Sequence, residues 1–159
     1  GLKDWIAWVL EQYQVDAGKL TLELTETAAM DDPEKGLGAL KALAELGLRI
    51  SIDDFGSGYS SLSYLKQLPA TELKLDRALL EDIHSSESAR LIVGTAVTMA
   101  HNLGYEVVAE GVESEQTGQV LAELGCDRLQ GFWIARPMPL EELDAWLSGQ
   151  PVAAGLRAE

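Results

Sequence analysis

Leu48-Arg49-Ile50-Ser51-Ile52-Asp53-Asp54-Phe55-Gly56-Ser57-Gly58 reads as a strand that runs into a glycine-rich turn. Ile50 and Ile52 alternate with Ser51 and Asp53, the period of a strand with one apolar and one polar face. Neighbouring strand residues point to opposite faces, so Asp53 and Asp54 can serve one site only where the strand ends and turns. Phe55-Gly56-Ser57-Gly58 supplies that turn, its glycines permitting backbone angles closed to other residues.

The same grammar extends in both directions. Upstream, Trp5, Ile6, Val9, Leu10 and Tyr13 predict a helix over Leu2–Tyr13, and a strand follows over Leu20–Leu24. Asp31 or Asp32 and then Pro33 open a helix whose stripe is Leu37, Leu40, Leu43 and Ala44, ended by Gly47. Downstream come a helix near Ser60–Leu68, a strand over Glu72–Asp76, and a helix over Ser86–Leu103 closed by Gly104. A strand over Glu106–Glu110, a helix from Ser114 to Gly125, a strand over Arg128–Trp133, and a helix after Pro139 through Trp146 complete the series. Strands that are each followed by a helix predict an α/β fold of about five parallel strands with helices packed outside. Residues 1–148 read as one domain and 149–159 as a tail of loop or disorder.

Composition narrows the partners. A chain of 159 residues with 47% hydrophobic residues suffices for one domain with a sizeable core. Its formal charge of −14 repels a polyanion, which argues against binding along DNA. No apolar run approaches the roughly 20 residues that span a bilayer, so no membrane segment is expected in this chain. The single Cys126 fits a reducing cytosol, so a cytoplasmic domain is expected, within a parent that could be membrane-anchored. His84 and His101 lack a carboxylate or cysteine at metal-ligand spacing, and Cys126 reads as a small packing residue.

The polar faces carry the chemistry. Glu23, Asp53, Asp54, Asp76 and Glu110 all fall near the C-terminal ends of strands, where following loops begin. A sheet with one solvated face would show the same alternation. Against that, right-handed crossovers curl such a sheet toward a barrel, and barrels and open α/β sheets place their sites at this end. Carboxylates brought together repel unless cations intervene, and hard divalent ions such as Mg²⁺ or Mn²⁺ take oxygen ligands of this kind. Two ions would activate water and clamp a phosphoryl group, and Lys74, directed into the same mouth, could position that water. The pattern points to a metal-dependent phosphoryl-transfer site.

Five segments then resemble, in order, those of the EAL domain family. Glu23-Leu24-Thr25-Glu26 is similar to its ELTE strand, and Asp53-Asp54-Phe55-Gly56-Ser57-Gly58-Tyr59-Ser60-Ser61-Leu62 to its DDFG(T/S)GYSSL segment. Lys74-Leu75-Asp76 matches the KxD strand, Ala109-Glu110-Gly111-Val112-Glu113 the AEGVE segment, and Leu124-Gly125-Cys126-Asp127 with Gln130-Gly131 the LGCDxxQG signature. The resemblance implies a TIM-type (β/α) barrel phosphodiesterase that hydrolyses cyclic di-GMP to linear pGpG with two divalent metals, Mg²⁺ or Mn²⁺. It implies Glu23, Asp53, Asp54 and Glu110 as metal ligands, with Lys74, Glu110 and Asp76 in catalysis. Glu26 and Glu113 resemble glutamates that steady the loop after Asp54, and Gln130 a supporting partner of the site.

The family's namesake Glu-Ala-Leu strand, a later strand ending in Asn, and an Arg that holds substrate have no counterpart here. The expectation is a barrel truncated at its N-terminus, impaired by itself, prone to form a homodimer or strand-exchanged oligomer, with an upstream regulatory or GGDEF domain in the parent. The rival reading is a degenerate EAL module that binds cyclic di-GMP or a protein partner without hydrolysis. A receiver-like domain fits less well, because Asp53-Asp54 ends the second strand and Lys74 the third.

Overall fold

Ile50, Ile52, Leu73, Leu75, Val107 and Ala109 are wholly excluded from solvent, and they define the apolar face that the alternation demands. They belong to β2 (Arg49–Phe55), β3 (Glu72–Leu75) and β4 (Glu106–Ala109). On either side stand β1 (Thr21–Thr25) and β5 (Arg128–Leu129), and a short β6 (Arg157–Ala158) lies beyond β5. In this computed structural model residues 1–25, 28, 33–56, 62–149 and 157–158 are described, with backbone alone at 33–35 and 157–158.

The strands form one sheet in the order β1-β2-β3-β4-β5-β6, every neighbouring pair parallel. Sequential order with a helix in most connections is the arc of a β/α barrel. The helices are α1 (Leu2–Tyr13), α2 (Pro33–Ala44), α3 (Leu62–Leu65), α4 (Glu87–Asn102), α5 (Glu115–Glu123) and α6 (Leu140–Gly149). Leu40, Val93, Val97, Ala100, Val120 and Leu121 pack from α2, α4 and α5 onto the apolar strand face. Each such fully buried Leu, Val or Ile contributes about 1.5–3 kcal/mol.

Local chemistry sets the helix limits. Ser86 Oγ accepts the Ala89 amide and Ser114 Oγ the Thr117 amide, each at 3.1 Å, so both serines cap the helices they were expected to open. Gly47, Gly104 and Gly125 follow α2, α4 and α5 with φ of +92°, +85° and +91°. These are left-handed stops that suit glycine.

Of the boundaries that differ from the sequence reading, two bear on the site. β2 runs on to Phe55, and β5 stops at Leu129 instead of continuing to Trp133. The second has a clear cause: the Val112 amide donates to the Gln130 carbonyl, and the Trp133 amide returns to the Val112 carbonyl, each at 3.0 Å. A Cβ on Gly131 would lie 2.2 Å from the Val112 carbonyl oxygen, so only glycine allows this crossing. Arg128 and Leu129 of β5 align with Arg157 and Ala158 of β6.

Candidate functional site

Lys74 is the centre of the inward face. Its side chain is 5% exposed, and its ammonium lies 2.6 Å from Glu110 Oε1, 2.9 Å from Glu23 Oε1 and 3.4 Å from Asp53 Oδ1. Burial works against its charge, but the hydrogen bonds it donates to Glu110 and Glu23 outweigh that and hold its pKa above the ordinary lysine value. The cation gathers carboxylates from the strands on either side.

Asp53 and Asp54 reach the same mouth through a break in strand geometry. The β2–β3 register shifts between Ile52 and Phe55, and Asp54 sits at φ +57°. A bulge of this kind re-aims a side chain that regular pleating would send to the opposite face. Carboxylate oxygens of Asp53, Asp54 and Glu110 consequently lie within 4.8 Å of one another. Burial, and then the neighbouring carboxylates, act on two of these groups. Burial raises the pKa of Asp54, with Asp53 and Asp76 adding to it. Burial also raises that of Glu110, only partly offset by Lys74.

Sited just past β3, Asp76 accepts the Ala78 amide at 2.8 Å and caps the 3-10 turn Arg77–Leu80. Gln130 follows β5 and lines a cavity of about 190 Å³ with Arg77, Glu110, Gly111, Glu113, Gly131 and Phe132. Glu113 pairs with Arg77 at 2.9 Å. Glu26 lies outside the described residues, as does the loop 57–61 that Glu26 and Glu113 were expected to steady. Burial pushes the Cys126 thiol up to about 12, consistent with a packing role.

A second charged group went unread in the sequence. Arg49, Glu72, Glu106 and Arg128 are the first residues of β2, β3, β4 and β5. They close an ion-pair lattice at the opposite end of the strands. Arg49 lies 3.2 Å from Glu72 and 2.7 Å from Glu106, and Arg128 lies 2.8 Å from Glu72 and 2.9 Å from Glu106. The signal was present as opposite charges at strand starts.

Oxygen donors this close suit a hard divalent cation, which takes carboxylate ligands in such sets. The arrangement can therefore hold metal beside a lysine at the end of a barrel where substrates enter. The EAL domain family model matches residues 1–137. The chain belongs to the EAL domain family. It is 46% identical over 144 residues to the bifunctional diguanylate cyclase/cyclic di-GMP phosphodiesterase MucR of Pseudomonas aeruginosa, an alignment spanning 90% of this chain and 21% of MucR. The solved MucR phosphodiesterase in complex with c-di-GMP is 45% identical, with a TM-score of 0.85 over 90% of this chain and 58% of that one. A manganese/cy-diGMP complex of Klebsiella pneumoniae BlrP1 at pH 9.0 is 35% identical, with a TM-score of 0.77 over 84% of this chain and 35% of that one. This EAL chain spans about a fifth of the length of the curated relatives it matches first, 18% and 21%. Among the described residues of this EAL sequence, no helix is long and apolar enough to cross a membrane.

Proposed function

We propose that this EAL chain carries most of the active site of a metal-dependent phosphodiesterase that hydrolyses cyclic di-GMP to linear pGpG. The observation that carries the reading is the convergence of Asp53, Asp54 and Glu110 within 4.8 Å, beside a Lys74 that also holds Glu23. Glu23, Asp53, Asp54 and Glu110 would ligate Mg²⁺ or Mn²⁺. When bound, the ions supply Lewis acidity and an activated water.

Lys74, whose ammonium lies beside Asp53 and Glu110, would orient the attacking water and stabilise negative charge. Asp76 and Gln130 flank the ligands, and Glu26 and Glu113 steady the loop after Asp54. Residues 1–148 serve as the C-terminal part of the domain, with 149–159 as its tail, in a cytoplasmic module preceded by regulatory or GGDEF sequence. Support comes from MucR and BlrP1, both solved in complex with c-di-GMP.

The test is a Mn²⁺ titration followed by electron paramagnetic resonance on the domain within its longer protein. Saturable Mn²⁺ binding that Asp53→Asn removes, while circular dichroism stays unchanged, is the expected result. Unaltered binding in that variant would overturn the ligand assignment.

A further inference from the structure

Ser51 is wholly buried, and its hydroxyl meets no hydrogen-bond partner among the described residues. It stands on the inward face of β2, two residues before Asp53. In register, Ser51 is level with Glu23 of β1 and Glu72 of β3. Adjacent strands lie about 4.8 Å apart, so its side chain sits between two glutamate stems.

The two carboxylates turn away from each other. Glu23 Oε1 is taken by Lys74 at the mouth, whereas Glu72 Oε2 is taken by Arg49 and Arg128 at the far end. Between them stands the short Ser51 side chain, its hydroxyl able to donate once and accept twice. A buried polar group of this kind is costly to leave unmade, and gaps that stay dry are lined by apolar atoms. The residues level with Ser51 on the neighbouring strands are both glutamates.

We propose that Ser51 holds an ordered water inside the barrel, hydrogen-bonded to Glu23 and Glu72, which joins the Lys74 cluster to the ion-pair lattice. Ser51 is then a positioning residue. The water fixes the Glu23 carboxylate, and Glu23 in turn fixes the Lys74 ammonium. This inference rests on burial and register alone and is independent of the proposed phosphodiesterase activity.

Two measurements test it. A high-resolution crystal structure of the 159-residue chain should show a water within hydrogen-bonding distance of Ser51 Oγ and of a Glu23 or Glu72 oxygen. A Ser51 hydroxyl bonded directly to protein, or density without a water there, would overturn the site. In Ser51→Ala, with folding checked by circular dichroism, nuclear magnetic resonance of the Lys74 ammonium should show a moved signal and severalfold faster proton exchange. An unmoved Lys74 signal in that variant would overturn the positioning role even with the water present in the parent chain.

Discussion

Lys74 is one cation among carboxylates that repel one another, and its contribution has a definite pH window. Its pKa is raised on folding, so its stabilisation is fully present below the ordinary lysine value and lost as pH rises through the folded value. Replacing it with Met should destabilise the metal-free chain. The loss should fall at or below the lower end of the roughly 3–5 kcal/mol typical of a broken buried ion pair, because Glu23 is half exposed. Urea unfolding near neutral pH reads this directly, and an unchanged midpoint would contradict it. Asp54 carries the opposite sign of consequence. Its raised pKa means that ionisation in the crowded site opposes folding as pH rises through that value. Asp54→Asn should therefore raise the thermal midpoint of the metal-free chain at neutral pH. The gain should vanish below the ordinary carboxylate range, which scanning calorimetry at two pH values will show.

At the level of elements, period-2 alternation made the sheet legible, because strand residues such as Ile50, Ser51, Ile52 and Asp53 report their own faces. Helix α1 matches its predicted limits, Leu2–Tyr13, and Ser86, Ser114 and the three helix-ending glycines act as read. The early end of β5 was hidden, since it depends on a crossing between Gln130, Gly131 and Val112 that no local pattern encodes. Convergence of Asp53 and Asp54 was inferred from the turn, whereas the bulge that achieves it appears only in the register. The ion-pair lattice was missed because its members lie on separate strands. Glu72, only 2% exposed there, should be hard to lose. Glu72→Met leaves Arg49 and Arg128 with Glu106 still beside them, so a loss of up to about 3 kcal/mol in urea unfolding is expected. On the outer side, α1 exposes Trp5 and Trp8, and among the described residues β1 has no partner beyond it in the sheet. Unpaired edges invite association. Light scattering should find the chain self-associated at micromolar concentration, and Trp5→Ser with Trp8→Ser should shift it toward monomer.

For the whole molecule, the decisive fact is a site built at the shared mouth of parallel strands from residues far apart in sequence. Asp53, Asp54 and Glu110 are close enough to share metal, and Glu23 is tied to them through Lys74. Mg²⁺ demands near-ideal octahedral geometry, so full activity is expected only where every ligand of the complete domain is present. The most direct measurement is chromatographic turnover of cyclic di-GMP to pGpG at matched Mn²⁺, by the domain in its longer protein, by its Asp53→Asn variant and by the 159-residue chain alone. The expected result is conversion by the first, with a loss of at least about 10²-fold in the other two, as when preorganised electrostatic contacts are removed. Near-normal turnover by Asp53→Asn would contradict the metal-centred reading of this site.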